Sequence, residues 1–433
     1  MFKFARNWKL IATVTGLCSL FAGLTPVFAQ LNCGGGGDFY GQGVQLTQTG
    51  RYAAAYDSFA CAFIIDDQRY DALLARIEAA VLAGDYGQAA TDANRLKDRS
   101  YETFNHAIGQ YMAAVEQNPN DVRARMMHIL LLWAAADDRA VLFAAGQLLT
   151  VDPQNALALL LRGSSNQYLG DRVTPAADFQ MALNVGGENP DVYSIMGSTY
   201  AQTQDVDNAF MALDRALLLD PNHARSYYFR GLTYMNNDNL NAAVRDFSTA
   251  IAFDPTYYDA FFDRGQVYAL QNNYDAAIQD FSAALSQYPN FKLAYIRRGV
   301  VQEWDGNITA AIGDYAQYIQ LNTRQFLPPQ LAQSGTAAVN LRPYDTAQLQ
   351  ITLNAGQMLS VTTASSGVDA MIVVIAPDGS TPLAGSDDPS PGQRTPIISG
   401  WQVPAPGVYT LYITSSDPGR ANQGAVDVQI NIV

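Results

Sequence analysis

The sequence predicts an all-α solenoid followed by an all-β antiparallel sandwich, and three observations carry that prediction. From Thr336 onward, apolar residues alternate with period two instead of following helical spacing. Gly and Pro residues separate these short apolar segments, as they do between the strands of a sandwich. Earlier in the chain, glycines recur every 34 residues, at Gly163, Gly197, Gly231, Gly265 and Gly299.

The composition is that of a globular, acidic protein. The chain has 433 residues, of which 48% are hydrophobic and 15% charged. This is enough apolar material for a core and too little charge for a disordered chain. The formal net charge of -14 disfavours contact with phosphate backbones. We therefore expect no nucleic-acid partner.

The first 29 residues have the features of a bacterial signal peptide. Three basic residues (Lys3, Arg6 and Lys9) precede an apolar stretch from Leu10 to Leu24, and small residues stand three and one positions before a cleavage point after Ala29. We expect an extracytoplasmic protein, either secreted or held in the periplasm or cell envelope. The alternative is an uncleaved anchor, and the protein would then meet the membrane only through this segment.

Export would place the cysteines in an oxidising compartment. Cys18 lies in the signal segment, so Cys33 and Cys61 remain in the mature chain. Two cysteines in an oxidising compartment favour a disulfide, which would stabilise the fold by roughly 3–4 kcal/mol. The alternative is two free thiols, with Cys61 buried in a helix.

Further columns of the sequence share the 34-residue spacing. Proline recurs at Pro221, Pro255 and Pro289, and alanine at four positions from Ala209 to Ala311. Helical periodicity predicts pairs of helices, the first of each pair at 191–204 and 225–237 and the second at 206–219 and 240–253. Aromatic residues keep the same register at Tyr200, Tyr234, Tyr268, Phe179, Phe247 and Phe281.

This pattern resembles the tetratricopeptide repeat, most fully across residues 190–291. The resemblance implies hairpins of two antiparallel helices that stack into a solenoid, because no hairpin buries its apolar face alone. We assign residues 122–324 to this solenoid and 30–121 to degenerate helical repeats. A single helix over 101–117 replaces a full repeat, so we expect seven or eight hairpins with one irregular joint.

A charged pattern follows the same register. Four arginines each precede a glycine of the period, and an aspartate follows each arginine 16 residues later. We predict an ion pair within each hairpin; the alternative is a charged ladder for a ligand. The pairs are Arg162 with Asp178, Arg230 with Asp246, Arg264 with Asp280, and Arg298 with Asp314.

The resemblance also implies a binding surface, because in this family the first helices line a concave groove that holds a peptide. Arg123 and Arg225 lie at its expected rim. The alternative for each groove residue is a packing role within the superhelix. The predicted lining residues are Met126, Leu130, Trp133, Leu160, Tyr168, Ser198, Tyr228, Met235, Phe262, Gln266, Ile296, Val300 and Trp304.

After a predicted linker at 325–335, residues 336–433 form the sandwich, which we expect to be jelly-roll-like. Strands are predicted at 348–353, 359–364, 371–375, 397–401, 408–414 and 426–432. This segment resembles the bacterial pre-peptidase C-terminal domain, which implies a surface-binding or packing role. The residues that carry the resemblance are 353–356 (LNAG), Asp369, 377–379 (PDG), Asp387, Asp388 and 406–411 (PGVYTL).

The sequence offers few groups for chemistry. Asp369, Asp387 and Asp388 are candidate calcium ligands, but we favour the alternative that they are turn residues that cap their own backbone. His223 follows the Asp220-Pro221-Asn222 turn, and we interpret it as a solvated turn residue. No metalloprotease helix, nucleophile elbow or phosphate loop is present in the sequence. We expect a protein that is not an enzyme and needs no cofactor.

Two functional hypotheses follow. The first is an interaction scaffold that binds a protein or peptide outside the cytoplasm. The second is a surface-polysaccharide-binding protein that acts through the sandwich, with Trp401, Tyr409 and Tyr412 as stacking surfaces and the helices as a spacer. A hydrolase is a third hypothesis, which an activity screen would expose.

Overall fold

A computed structural model describes residues 33, 37–66, 68–171, 174–323, 325–341, 345–365, 370–387, 396–415 and 424–433. The predicted signal peptide lies outside these residues. Seventeen helices are described, in the order α1 (Phe39–Gln48), α2 (Tyr52–Ile65), α3 (Tyr70–Ala83), α4 (Tyr86–Arg99), α5 (Tyr101–Gln117), α6 (Val122–Ala134), α7 (Asp138–Val151), α8 (Ala156–Tyr168), α9 (Thr174–Gly186), α10 (Pro190–Gln202), α11 (Val206–Leu219), α12 (Ala224–Asn236), α13 (Leu240–Phe253), α14 (Tyr258–Leu270), α15 (Tyr274–Gln287), α16 (Lys292–Trp304) and α17 (Ile308–Asn322).

The helices form eight hairpins and one single helix. The hairpins are α1/α2, α3/α4 and the consecutive pairs from α6/α7 to α16/α17, with α5 between the second and third hairpins. The predicted number of hairpins and the irregular joint at 101–117 are therefore confirmed. The second helices α11 and α13 have the predicted bounds, and the first helices α10 and α12 differ from prediction by one or two residues.

The period fixes how the two helices of a hairpin meet. Where a first helix carries the glycine of the period, that glycine faces the large side chain 16 residues later: a Cβ at Gly231 would lie 2.8 Å from the Phe247 ring. Gly197 faces Leu213 in the same way, and Gly299 faces Tyr315. Only glycine permits this approach, because any side chain would overlap the ring. The turns between the helices of a hairpin follow the same 34-residue period. A residue with left-handed backbone conformation recurs there at Ala136, Gly170, Gln204, Asp238, Asn272 and Gly306.

The predicted ion pairs are confirmed. Arg162 lies 2.6 Å from Asp178, and the other three arginines each lie 2.7 Å from their aspartate. All four carboxylates are buried, so they do not present a charged ladder to a ligand. A fifth pair, Arg76 with Asp92, has the same 16-residue separation outside the regular period. In the hairpin α10/α11 the two positions hold Met196 and Ala212 instead.

The N-terminal hairpin carries the predicted disulfide. Cys33 and Cys61 are bonded, with their Cα atoms 5.3 Å apart. Cys61 lies on the buried face of α2, so the bond ties the segment before α1 to the second helix of the hairpin. The disulfide prediction is confirmed, and the alternative of two free thiols is wrong.

The described residues of the C-terminal region form ten strands in two sheets. One sheet has the order β1-β4-β9-β6-β7 with β2 also paired to β4, and the other has the order β3-β10-β5-β8. Apolar residues of both sheets form one core between them, which makes this region a sandwich. The strands are β1 (Gln325–Phe326), β2 (Gln330–Leu331), β3 (Gly335–Leu341), β4 (Asp345–Leu353), β5 (Met358–Ser365), β6 (Ala370–Ile375), β7 (Pro382–Ser386), β8 (Ile397–Gln402), β9 (Gly407–Ser415) and β10 (Gly424–Ile432).

The predicted linker at 325–335 is part of the sandwich. Gln325 and Phe326 pair in parallel with β4, and Gln330 and Leu331 pair with the same strand further along. The paired prolines at 328–329 interrupt this pairing, because proline donates no backbone hydrogen bond. The linker prediction is therefore wrong, and the first sheet is mixed and not purely antiparallel.

The sandwich packs against the last hairpin. Met371, Val373 and Ile375 on one face of β6 lie in a cluster with residues of α16 and α17, while Ile372 and Val374 face the core of the sandwich. The buried Glu303 carboxylate accepts hydrogen bonds from Tyr315, from Ser386 and from the Asp387 backbone. Tyr318 donates to the Ser415 carbonyl at 3.0 Å. The sandwich therefore covers the apolar end of the solenoid.

Within the described part of the chain, no helix is both long enough and apolar enough to cross a membrane.

Candidate functional site

The candidate site lies where α4 crosses the face formed by the first helices. The first helices of neighbouring hairpins contact one another from α6 to α16, and α4 packs on α6 and α10. Gly87 permits the closest approach, because a Cβ there would collide with Asp191 of α10 and Arg225 of α12. The irregular joint at α5 thus lets the second N-terminal hairpin lie over the concave face.

Two basic residues fix the other end of α4. The Lys97 ammonium donates to the Ala134 carbonyl of α6 at 2.5 Å. The Arg99 guanidinium donates to the Gln287 carbonyl at 2.9 Å and lies 5.3 Å from the centre of the Tyr288 ring. Arg99 thus joins α4 to α15, since Gln287 lies 188 residues further along the chain. These contacts close the groove into a cleft.

Two adjoining cavities make up this cleft. The first has a volume of about 310 Å³ and lies between α4 and the starts of α10, α12 and α14. The second has a volume of about 260 Å³ and extends toward the end of α6. Both are lined by Thr91, Arg225, Tyr257, Tyr258 and Asp259. A cleft of this size accepts a few side chains of a partner.

The lining of the first cavity is acidic. Two arginines, Arg95 and Arg225, and the half-buried His223 are its basic groups. With a neutral histidine, five carboxylates against two guanidiniums leave a net charge of -3. This charge favours a cationic ligand over an anionic one. The five carboxylates are Asp85, Asp191, Asp220, Asp254 and Asp259.

Two of these carboxylates meet across the cleft. Asp85 caps α4 by accepting from the Gln88 backbone at 2.8 Å and lies near Asp191. Desolvation by the walls, and then the charge of Asp191, raise the pKa of Asp85 to about 6, although its side chain still meets solvent at the mouth. Burial opposes ionisation of Asp191, but the hydrogen bond from His223 and the charge of Arg225 lower its pKa overall. When the pH falls to about 6, the pair therefore takes up a proton on Asp85.

His223 is a structural part of this cleft. Its Nε2 lies 3.2 Å from Asp191 and its Nδ1 2.7 Å from the Ser226 hydroxyl. The interpretation as a solvated turn residue is wrong, because α4 covers the turn. Arg225 also lines the cleft, whereas Arg123 forms an ion pair with Glu78.

The structure corrects most of the predicted groove. Seven side chains are buried in packing between hairpins or against the sandwich, and none of them lines the cleft. Four of them belong to one column of the period, which faces the neighbouring hairpin. The seven are Met126, Leu130, Leu160, Ser198, Phe262, Ile296 and Val300.

The other six predicted groove residues are half-buried. Trp133 and Tyr228 line the second cavity, so the structure brings these two together. Gln266 donates to Asp263 at 2.6 Å, and Trp304 packs on Tyr274. Tyr168 and Met235 are also half-buried and do not line the cleft.

The sandwich residues proposed for ligands have different surroundings. Tyr409 is buried, Trp401 packs edge-on against it, and Tyr412 packs on Phe326. The three rings therefore form no common stacking surface for a sugar. Asp387 is buried beside Glu303, while Asp369 and Asp388 lie outside the described residues. Calcium binding stays a prediction.

Comparisons with known proteins agree with the helical architecture. Models of the tetratricopeptide repeat match residues 190–223, 230–291 and 262–325. No curated protein matches the chain. The matched ranges end at residue 325, so the resemblance of the sandwich to a pre-peptidase C-terminal domain stays a prediction.

Several solved structures are similar in part. MamA has 25% identity and a TM-score of 0.34, over 37% of this chain and 94% of MamA. YrrB, described as a TPR protein with an unusual peptide-binding site, has 24% identity and a TM-score of 0.29, over 42% of this chain and 95% of YrrB. A chain of the APC/C hetero-tetramer Cut9–Hcn1 has 14% identity and a TM-score of 0.45, over 66% of this chain and 53% of that one. From the family models and the hairpin geometry, residues 190–223 and 230–325 are tetratricopeptide repeats.

Proposed function

We propose that this chain is an exported, non-catalytic scaffold that binds a segment of a protein partner in the cleft beneath α4. The observation that carries the proposal is the cleft itself, with two adjoining cavities between α4 and the starts of the tetratricopeptide hairpins. Its walls combine aromatic rings with charged groups, a mixture typical of surfaces that recognise proteins.

Two observations support export. The N-terminal residues have the pattern of a signal peptide, and disulfides such as Cys33–Cys61 form and persist in oxidising compartments. Intact-mass measurement of the protein from fractionated cells tests this part: a mature chain beginning at Gln30 in the extracytoplasmic fraction is expected. A full-length cytoplasmic chain would contradict it.

Site-specific photo-crosslinking tests the binding surface. A benzophenone amino acid at Thr91, which lines both cavities, should crosslink a partner in the native cell. The matched control carries the same group at Phe143, which is 70% exposed on α7. A purified partner should then lose its binding to Thr91→Trp, which fills the cleft. Crosslinks from position 143 alone, or full binding to Thr91→Trp, would contradict the proposal.

A further inference from the structure

Five of the eleven residues that line the second cavity of the cleft are aromatic. Trp133 comes from the end of α6, Tyr228 and Phe229 from α12, and Tyr257 and Tyr258 from the start of α14. Three of the rings touch in sequence: the Tyr228 ring lies 5.3 Å from Phe229 and 4.7 Å from Tyr257, between centroids. A group that enters this cavity therefore meets the faces or edges of several rings.

These rings are held in place by buried polar contacts. The Tyr228 hydroxyl donates to Asp263 at 2.8 Å, and Gln266 donates to the other oxygen of the same carboxylate at 2.6 Å. Burial raises the pKa of Tyr228 well above its usual value, and the charges of Asp263 and Asp259 add to this effect. The Tyr228 ring thus stays neutral and fixed, which lowers the entropy cost of binding.

A negative charge stands beside the rings. Asp259, in the first turn of α14, lines both cavities. Arg225 also lines them, and its positive charge acts on the Asp85 and Asp191 carboxylates, whose pKa values it lowers. The charge that the two carboxylates and Arg225 present together is negative, and Asp259 adds to it. An anionic ligand is therefore disfavoured.

Trp133 adds a hydrogen-bond donor. Its indole N–H is buried and has no acceptor among the described residues. A buried donor without an acceptor is costly, so a ligand that brings a carbonyl oxygen would relieve that cost. A peptide backbone carries such an oxygen next to each side chain.

We propose that the second cavity is an aromatic cage for the ammonium group of a lysine side chain in the partner segment. Aromatic faces attract an ammonium through the ring quadrupole, and a nearby carboxylate strengthens this attraction. Asp259 supplies the carboxylate, the five rings supply the cage, and the Trp133 indole meets a backbone carbonyl of the ligand. The inference rests on the proposed function and specifies the residue of the partner that the cleft selects.

The experiment uses the full mature chain labelled with 5-fluorotryptophan. The mature chain keeps three tryptophans, Trp133, Trp304 and Trp401, so ¹⁹F NMR gives a simple spectrum in which Trp133→Phe identifies one resonance. The probe is Nα-acetyl-lysine methylamide, and the matched neutral and acidic probes are the norleucine and glutamate analogues. We expect the lysine probe to shift the Trp133 resonance saturably, with binding at least about fivefold tighter than that of norleucine.

Two variants separate charge from shape. Asp259→Asn should weaken lysine binding about fivefold or more and leave norleucine binding unchanged. Its matched control is Asp275→Asn, an exposed aspartate in the first turn of α15, which should bind as the parent does. Phe229→Leu keeps the carboxylate but removes a ring, so it should also reduce the preference for lysine; it decides the question if Asp259→Asn fails to fold.

Equal shifts from the lysine and norleucine probes would overturn the cage, and so would the absence of a saturable lysine shift. Either result, together with partner crosslinking from position 91, would leave the proposed function in place. Loss of that crosslinking as well would overturn both proposals.

Discussion

The Arg99 guanidinium donates a hydrogen bond to the carbonyl oxygen of Gln287 at 2.9 Å, across 188 residues of sequence. The same guanidinium lies between the rings of Phe63 and Tyr288, at 5.2 and 5.3 Å from their centres. One side chain thus links the N-terminal hairpins to the seventh of the eight hairpins. We therefore expect Arg99 to limit how far the cleft opens.

Arg99→Ala should open the cleft. The substitution removes the hydrogen bond to Gln287 and the contacts with the Phe63 and Tyr288 rings, so α4 and its hairpin gain freedom. Electron–electron distance measurements between spin labels at the exposed Gln110 and Gln279 should show a broader distribution with a longer mean. The matched control is Arg139→Ala, on the exposed surface of α7. Identical distributions in parent and variant would contradict the role of Arg99.

The ion pairs within hairpins should be strongly coupled. Arg264→Met leaves the Asp280 carboxylate buried without its partner, which should cost about 3 kcal/mol of unfolding free energy. The double variant Arg264→Met/Asp280→Ala reproduces the Met196 and Ala212 found in the hairpin α10/α11 and should lose less than the single variant. Chemical denaturation measures both. A double variant less stable than the single one would show that the pair is not coupled in this way.

Replacing a helical glycine by alanine should lower stability where the glycine faces a ring and raise it where the glycine faces open space. Gly231→Ala brings a Cβ to 2.8 Å from the Phe247 ring, so the hairpin must open and stability should fall by about 1–3 kcal/mol. Gly146→Ala is the matched control, because nothing lies within 4 Å of its Cβ. There alanine should raise stability by up to about 1 kcal/mol through helix propensity. Equal effects of the two substitutions would contradict the close approach.

The repeat period predicts the hairpins and their internal contacts but not the cleft. Gly231, Arg230 and Asp246 lie in fixed columns because each contact joins neighbouring helices, and such contacts follow the period. The approach of Gly87 to Asp191 joins hairpins from separate parts of the chain. This approach depends on the irregular joint at α5, and no position of the 34-residue period predicts it. A glycine early in α4 is the one sequence signal for it.

Seven of the predicted groove residues are buried for a related reason. Met126, Leu160, Phe262 and Ile296 share one column of the period, and that column faces the next hairpin. A first helix packs on two neighbours, so most of its surface is interior, and periodicity alone does not separate the packed faces from the open one. The apolar run of β6 is a clearer signal: six consecutive buried residues indicate a strand that is covered on both faces.

The pair of carboxylates in the cleft should make stability depend on pH. Because the pKa of Asp85 is raised to about 6 in the folded state, its ionised form is disfavoured there. The resulting destabilisation is absent below the pKa of an unfolded aspartate, near 4, grows as pH rises through about 6 and is complete above that value. Desolvation and the charge of Asp191 raise this pKa, whereas the hydrogen bond from the Gln88 backbone and the charge of Arg225 lower it.

Asp85→Asn should therefore be more stable than the parent at pH 7.5 and equally stable near pH 4. Asparagine keeps the cap on α4, so the comparison isolates the charge. Urea denaturation at both values measures the difference. Asp137→Asn is the matched control, since Asp137 caps α7 in the same way outside the cleft. A constant difference between Asp85→Asn and the parent across this range would contradict the predicted titration.

The contact between sandwich and solenoid should be required for a single cooperative unfolding transition. Val373 of β6 is fully buried against α16 and α17, so Val373→Asp places a charge without a designed partner in the junction. We expect the variant to melt at a lower temperature and in two separate calorimetric transitions. Val408→Asp is the matched control, because Val408 is 46% exposed on β9 of the same sheet. If Val373→Asp melts as Val408→Asp does, the sandwich does not stabilise the end of the solenoid. Two transitions, with the solenoid melting at a lower temperature than in the parent, would show that the sandwich stabilises α16 and α17 as a cap stabilises the terminal repeat of a solenoid.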